Sequence, residues 1–299
     1  MLERFKVPKS DQIRISANSL RKTVSAIFEK MGELPTDAAI AADVLVTADL
    51  RGVESHGVSN MLRAYVDRYG EGTLKANTGW RIVRESPSTA TIDAEKGHAI
   101  ILGPKAMELA INKARNVGIG AVTMFNAGHS GPIGHYAMLA ADQDMIGLTM
   151  TSAGMKIVPT FGAEPRLGTN PIAIAAPARN EAPFLYDAAT SSVAGNKLKL
   201  AQRVGAKLLP GWIADLDGNP NEEPVSIKDI DAINILPLGG TREQGSHKGY
   251  GFGMMAEIMT SLLSGSLPPM LGGELSRHFF AAFNIDAFTD VEEFKDTMD

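Results

Sequence analysis

The chain has 299 residues, of which 44% are hydrophobic and 21% are charged, and its net charge is −5 at pH 7. This length suffices for one large domain or two ordinary ones. The charge pattern lacks the basic stripe that nucleic-acid binding requires, which excludes that class of partner. Cysteine is absent, so disulfides, thiolate nucleophiles and cysteine-based zinc sites are excluded as well.

The sequence contains neither a signal peptide nor a membrane span that we can identify. The first residues carry charges without an apolar core. The longest weakly charged run, 249–273, is interrupted by Glu257, by several glycines and by Pro268-Pro269. We therefore expect a cytoplasmic protein that does not interact with a membrane.

Three helices are predicted at the start of the chain. Apolar positions at helical spacing indicate a helix over 18–31, which Gly32 and Pro35 end, and Thr36 is the expected N-cap of a second helix. A third helix ends at Gly70. We expect residues 1–75 to form a helical N-terminal region and residues 76–299 to form a sheet domain that binds a cofactor.

The rest of the chain mixes short apolar strands with helices. The predicted strands are 80–85, 88–94, 119–125, 145–151, 171–177 and 183–189. The predicted helices run from Pro104 to Gly118, over 136–143, through a segment that includes Val193, Leu198, Leu200 and Ala201, and over 251–263. The last is apolar nearly all round and should be buried. Strands and helices do not alternate strictly along the chain. We therefore predict an α/β fold with a mixed, largely antiparallel sheet covered by helices, not a Rossmann fold.

The common phosphate-binding motifs are missing from this sequence. Gly118-Ile-Gly120 lacks a third glycine and precedes a strand. Gly240-TREQ-Gly245 is followed by Ser246-His247, where a P-loop requires Lys-Ser/Thr. The fold is therefore either unrelated to nucleotides or binds them in another way.

Residues 126–137, NAGHSGPIGHYA, place His129 between Gly128 and the Ser130-Gly131 pair. Glycine lets the backbone approach a ligand closely, and imidazole transfers protons near neutral pH. Two interpretations remain open, a proton donor in an active site and a buried structural histidine. A metal site with His135 is a weaker alternative, because no third ligand lies nearby.

Residues 51–65, RGVESHGVSNMLRAY, place Ser55 and His56 at a junction between two helices, with Arg63 outside the apolar stripe of the second helix. This combination suits an anionic small molecule, because arginine binds a carboxylate while histidine handles a proton. The alternative is a capping turn with a solvated arginine.

Three further polar junctions follow along the chain. A Gly-Thr-Asn-Pro turn with Thr169 and Asn170 leads into a strand, and the hydroxyl-rich segment 187–197 leads into a helix whose N-terminus suits a phosphate or carboxylate. His247-Lys248 lies among glycines before the last long helix. The segment 187–197 can also be an ordinary helix cap, and the His247-Lys248 segment a flexible loop. Together with the segments around His129 and His56, these three junctions indicate one site assembled from several loops.

The order of these motifs resembles the malate/L-lactate dehydrogenase family of the second type. The motifs are SHGVSNMLRAYV, NAGHSGPIGHY, GTNPIAIAAP, DAATS…GNK and LPLGG…SHKGYGFG. The family includes ureidoglycolate, sulfolactate and diketogulonate dehydrogenases and cyclic-imine reductases. The resemblance implies a nicotinamide cofactor, NAD or NADP, bound without a Rossmann domain, and a homodimer with sites near the subunit interface.

The resemblance also implies roles for individual residues. His129 matches the acid/base of ureidoglycolate dehydrogenases and His56 matches the proton donor of diketogulonate reductases, so two candidates exist for one role. Expected substrate contacts are Ser55, Asn60, Arg63, Thr169 and Asn170. Expected cofactor contacts are Asp187, Ala188, Ala189, Thr190, Ser191, Ser192, Val193, His247 and Lys248.

Two departures from the family pattern affect the expected function. Asn60 stands where many members have an arginine that binds the substrate carboxylate, and Arg63 is the next basic residue. Members also usually continue for several tens of residues past the segment that matches 291–294, into a stretch that contacts the cofactor, and the sequence leaves open whether this chain is truncated.

The expected reaction is NAD(P)-dependent interconversion of a small, malate- or lactate-like 2-hydroxy acid and its 2-oxo acid. Reduction of cyclic imino acids, and a cofactor-impaired or non-catalytic relative, are the alternatives. The sequence leaves open the choice between NAD and NADP, the substrate and the stereochemistry.

Overall fold

The computed structural model describes residues 8–226, 229–230 and 232–299. The chain forms two compact units. The first contains the chain as far as Asn77 together with Met155–Thr169 and Ala189–Gly253, and the second contains Thr78–Gly154, Asn170–Ala188 and Met254–Asp299. The predicted division into 1–75 and 76–299 stays a prediction. No helix in the described ranges is long and apolar enough to cross a membrane.

The first unit is mainly helical. Its elements are α1 (Ala17–Lys30), α2 (Pro35–Leu50), α3 (Val58–Gly70), α6 (Gly195–Val204), the short strands β7 (Ile213–Ala214) and β8 (Asn234–Ile235), and α7 (Ser246–Glu257) as far as Gly253. Helix α1 packs against α2, and α2 packs against α3. The side chain of Ser16 caps α1 by accepting a hydrogen bond from the Ser19 N–H.

Helix α2 begins two residues earlier than the sequence indicated. Pro35 was expected to end α1 and Thr36 to cap α2, but Pro35 is the first residue of α2 and Leu34 is its N-cap. The first N–H groups of a helix have no partner within the helix, so proline loses nothing at this position.

The second unit is built on a seven-stranded mixed sheet. Its strands are β1 (Arg81–Glu85), β2 (Thr89–Asp93), β3 (Ile119–Ala127), β4 (Met145–Ser152), β5 (Ile172–Ala176), β6 (Phe184–Ala188) and β9 (Ser276–Asn284), and their order across the sheet is β1-β2-β3-β9-β4-β5-β6. Only β2 and β3 pair in parallel, because a helix connects them. The predicted fold class is confirmed.

Helices α4 (Ala99–Val117) and α5 (Gly134–Ala141) pack on this sheet and form the main core with it. Two glycines let these helices approach the strands closely. A Cβ atom on Gly120 would collide with the Ala110 carbonyl of α4, and one on Gly147 would collide with the Ala137 carbonyl of α5. Helix α8 (Val291–Met298) follows β9.

Helix α4 starts earlier than predicted, and Pro104 lies inside it. The N-terminal turns carry Ile100, Ile101 and Leu102, which are all buried. Burial of three large apolar side chains contributes about 1.5–3 kcal/mol each. This gain offsets the hydrogen bond that proline cannot donate.

Helix α7 also starts earlier than predicted, and it continues into a π-helical turn, Ile258–Leu262. The expectation that this segment is buried all round was wrong. Its inner side carries Glu257 and Ser261, which hydrogen-bond to each other, whereas Ile258 and Leu262 are 48% and 56% exposed. The inner side thus carries this polar pair beside the apolar Ala256 and Met259, and the buried polar atoms are hydrogen-bonded.

Candidate active site

The loop between β3 and α5 holds His129 in a half-buried position in the second unit. The Gly131 N–H donates a hydrogen bond to His129 Nδ1 over 3.1 Å. Gly131 has a φ of +61°, a conformation that favours glycine. Because Nδ1 accepts a hydrogen bond, the neutral ring carries its proton on Nε2.

Asp187 lies at the end of β6 and holds the start of α5. Its Oδ2 accepts a hydrogen bond from the Gly134 N–H over 2.7 Å. A carboxylate at a helix N-terminus is favourable because of the helix dipole. Asp187 nevertheless remains exposed, so a cofactor contact stays a prediction for it, as for the half-buried Ala188 beside it.

Asn170 is completely buried in the second unit. Its Oδ1 accepts a hydrogen bond from the Ala153 N–H, and its Nδ2 donates one to Glu257 over 3.0 Å. The predicted contact between Asn170 and substrate is therefore not supported by an accessible side-chain surface. Thr169 is half-buried and belongs to the first unit.

His278 on β9 is a residue of this region that the sequence reasoning missed. Its ring is completely buried and lies 3.0 Å from the carbonyl oxygen of Gly128, which precedes His129. The only signal in the sequence is one histidine at the start of the apolar run HFFAAF.

In the first unit, Ser55 and His56 form a short 3-10 turn between α2 and α3. The Ser55 hydroxyl lies 2.9 Å from His56 Nδ1. The next residues are fixed by Asp49, whose carboxylate accepts a hydrogen bond from the Val58 N–H over 2.9 Å. A Cβ atom on Gly57 would collide with that carboxylate, which explains the glycine of the SHG motif.

Lys197 on α6 is a second residue that the sequence reasoning missed, although it lies in the quoted motif DAATS…GNK. Burial, and secondly the charge of Lys197, lower the pKa of His56 to about 4. His56 is therefore neutral near pH 7. A cation near this histidine also suits an anionic substrate.

Asn60 and Arg63 lie on one side of α3, three residues apart. Asn60 donates a hydrogen bond to the Ser55 carbonyl over 2.9 Å and so closes the turn that carries His56. Arg63 is exposed. The structure thus gives Asn60 a local structural contact and leaves Arg63 accessible to an anion.

The hydroxyl groups of the segment 190–193 bind backbone carbonyls. Thr190 donates to Thr169, Ser191 to Val193 and Ser192 to Pro237. Helix α6 begins only at Gly195, and no side chain caps it. The hydroxyl protons are thus already donated to carbonyls, and the oxygens can accept hydrogen bonds. Binding of a phosphate or carboxylate by the N–H groups and hydroxyls of this segment stays a prediction.

His247 and Lys248 are exposed in the first turn of α7. That helix lies close to the segment 190–193, because a Cβ atom on Gly253 would be 3.1 Å from Thr190 Oγ1. Ala189 is half-buried and Val193 is buried. The predicted cofactor contacts from 189 to 193 and His247-Lys248 thus belong to one unit.

The predicted residues fall into two groups when each unit is described by itself. The first unit holds Ser55, His56, Asn60, Arg63, Thr169, 189–193, His247 and Lys248, and the second holds His129, Asn170, Asp187 and Ala188. Within the part of the chain that the structure describes, no three acidic or histidine side chains form a group that could hold a metal ion.

The chain is similar to known dehydrogenases in both sequence and structure. A family model described as malate/L-lactate dehydrogenase matches residues 15–299. Malate dehydrogenase from Pyrococcus abyssi is 42% identical over 96% of this chain and 80% of its own length. The solved structure of malate dehydrogenase from Pyrococcus horikoshii has a TM-score of 0.87 and 37% identity, covering 98% of this chain and 82% of that one. Sulfolactate dehydrogenase from Methanocaldococcus jannaschii has a TM-score of 0.82 and 37% identity, covering 95% and 82%.

Proposed function

The chain belongs to the malate/L-lactate dehydrogenase family, and we propose that it is a nicotinamide-dependent oxidoreductase that interconverts a small 2-hydroxy acid and its 2-oxo acid. The observation that carries this proposal is the His129 loop, where a half-buried imidazole has Nδ1 occupied by the Gly131 N–H and its proton on Nε2. The malate and sulfolactate dehydrogenases among its relatives support a 2-hydroxy acid as the substrate class.

The residues of the first unit fit a dinucleotide. Lys248 supplies a positive charge and His247 an imidazole at the N-terminus of α7, which is the donor set that phosphates favour. The half-buried Ser192 hydroxyl already donates its proton to a carbonyl, so its oxygen can accept a hydrogen bond from a ribose hydroxyl. When bound, the nicotinamide supplies or accepts the hydride.

We assign the proton transfer to His129 rather than to His56. An efficient general acid has a pKa near the working pH. The pKa of His56 is lowered to about 4, so its ring is a poor proton donor near pH 7 and serves better as a neutral hydrogen-bonding group. In the reductive direction, His129 acts as the imidazolium: Nε2 gives its proton to the oxygen of the substrate carbonyl, the ring is left neutral, and water returns the proton.

We assign substrate binding to the cations of the first unit. Arg63 is exposed and can bind a carboxylate through two parallel hydrogen bonds. Lys197 adds a second positive charge near His56. We also propose a homodimer, as the family resemblance implies, and the exposed apolar side chains Met255, Ile258 and Leu262 support an interface between subunits.

The test is oxidation of NADH and of NADPH with a panel of pyruvate, oxaloacetate, sulfopyruvate and piperideine-2-carboxylate. We expect turnover of at least one 2-oxo acid, and the preferred cofactor follows from the same assay. His129→Asn should lower kcat by about 10²–10⁴-fold, because it removes the general acid. His135→Asn, a change of the neighbouring half-buried histidine, is the matched control and should keep most of the activity.

Two results would contradict the proposal. Turnover of the cyclic imine alone would assign the chain to the imine reductases. An absence of turnover with every substrate and both cofactors would refute the dehydrogenase function for this chain.

A further inference from the structure

The His129 loop rests on a buried histidine that the proposed reaction does not itself require. His278 lies directly opposite Thr151 in the pairing of β9 with β4. Its Nδ1 is 2.9 Å from Thr151 Oγ1, and its Nε2 is 3.0 Å from the Gly128 carbonyl oxygen. Both ring nitrogens therefore lie within hydrogen-bond distance of oxygen atoms in the second unit.

The partners fix the protonation of this ring. The Gly128 carbonyl can only accept a hydrogen bond, so the proton of neutral His278 lies on Nε2. Nδ1 then accepts from the Thr151 hydroxyl, and the oxygen of Thr151 can accept from the Ser130 hydroxyl 3.2 Å away. Burial lowers the pKa of His278 to about 4, which keeps the ring neutral and this order of donors unchanged near pH 7.

Hydrogen bonds from this network hold both neighbours of His129. On the N-terminal side, His278 binds the Gly128 carbonyl. On the C-terminal side, Ser130 contacts Thr151 with its hydroxyl, and its carbonyl accepts a hydrogen bond from the buried Tyr136 hydroxyl. The backbone at His129 is thus fixed at two points, and the Gly131 N–H fixes the ring itself.

A buried histidine at this position lowers the stability of the fold relative to an aliphatic residue. The strand continues with Phe279, Phe280, Ala281 and Ala282, which are all buried, and an aliphatic side chain would avoid the cost of desolvating an imidazole. The hydrogen bond from Nε2 goes to the residue before His129 rather than to another part of the sheet.

We infer that His278 is a positioning residue that holds the His129 loop, through the Gly128 carbonyl, in the geometry for proton transfer. The expected effect on kcat rests on the proposed function. The expected effect on the position of the His129 loop rests on the hydrogen bonds alone. A displacement of about 1 Å at a reacting group can lower a rate by about 100-fold. A hydrogen bond that keeps His129 in position therefore has a direct effect on the rate.

The test is a double-mutant cycle with His129. His278→Leu should lower kcat by about 10–100-fold, because the Gly128 carbonyl loses its donor. His278→Gln should keep kcat within about threefold, because its amide can donate to the same carbonyl. In the His129→Ala background, His278→Leu should have almost no further effect, because residues that act as one unit are not additive. Thr123→Val, which removes the hydrogen bond from the buried Thr123 hydroxyl on β3 to Thr91 on β2, is the control and should not change kcat.

Equal losses of kcat from His278→Leu in both backgrounds would show a general structural role and overturn the inference. Unchanged kcat in His278→Leu would also overturn it. If His278→Leu does not fold, Thr151→Val in both backgrounds gives the same test, because it removes the donor to Nδ1.

A spectroscopic readout separates this inference from the proposed function. In 1H–15N spectra of the imidazole groups, wild-type His129 should show the tautomer with its proton on Nε2. His278→Leu should mix the tautomers of His129, and His278→Gln should not. This result stands even if no 2-oxo acid is turned over, and an unchanged His129 spectrum in His278→Leu would overturn the inference.

Discussion

Lowering the pH from about 7 to about 4 should destabilise the second unit through His278. The ring is completely buried, and burial lowers its pKa from 6.5 to about 4. In the unfolded chain the ring takes up a proton near pH 6.5, whereas in the folded chain it takes one up only near pH 4. The stabilisation is therefore fully present above pH 6.5 and is lost as the pH falls from 6.5 to about 4.

The size of this effect follows from the two pKa values. Each pKa unit corresponds to about 1.4 kcal/mol, so the loss from His278 reaches about 3 kcal/mol at the lower end of the window. His278→Gln does not titrate and should not show this loss. The difference between the two proteins isolates His278, because the other titrating groups are common to both.

The assay is urea unfolding at a series of pH values, followed by the fluorescence of Trp80, which packs against the core of the second unit. Trp212→Phe in both proteins removes the other tryptophan signal. The stability of His278→Gln relative to wild type should rise by about 3 kcal/mol between about pH 7 and about pH 4. Parallel curves across this window would refute the reasoning, because they would mean that folding does not change the proton affinity of His278.

Two further changes test the packing and the charges. Gly147→Ala should lower the free energy of unfolding by about 1–3 kcal/mol in urea titrations, because the new methyl group meets the backbone of α5, whereas Gly154→Ala, which meets nothing within 4 Å, should leave it unchanged. Lys197→Met should raise the pKa of His56 in an NMR titration while keeping it below 6.5, because burial is the larger cause of its lowering. Lys199→Met on the exposed side of α6 should not change that pKa, and an equal rise in both variants would contradict the assignment of Lys197.

The sequence predicted the fold best where a local pattern decides the structure. The helical spacing of apolar residues predicted helix α1. Two segments rich in strand-forming residues, on either side of Ser86-Pro87, predicted β1 and β2. The segment 246–262 was harder, because composition does not show which side of a helix faces the core. Glu257 and Ser261 are buried and hydrogen-bonded to each other, and Glu257 also accepts from Asn170, a partner 87 residues away that the local sequence does not show.

The candidate site was predicted by its motifs but not by its contacts. The motifs led to His129 and His56. Close packing against Asp49 requires glycine at Gly57, and a positive φ favours glycine at Gly131. His278 could not be found in this way, because its partners Gly128 and Thr151 lie 150 and 127 residues away along the chain. The contact of Asn170 with substrate stays a prediction from the family resemblance, and the sequence did not show that its side chain hydrogen-bonds to Ala153 and Glu257.

The position of β9 in the sheet determines when the central strands can pair during synthesis. Strand β9 lies at the centre of the sheet and joins β3 to β4, yet it comes after the other six strands along the chain. During synthesis, β3 and β4 must therefore wait with unpaired edges until residues 276–284 leave the ribosome. Pairs such as Ile119 with Phe283 close long loops, which slows folding. The two open edges are thus the places where we expect a nascent chain to need a chaperone.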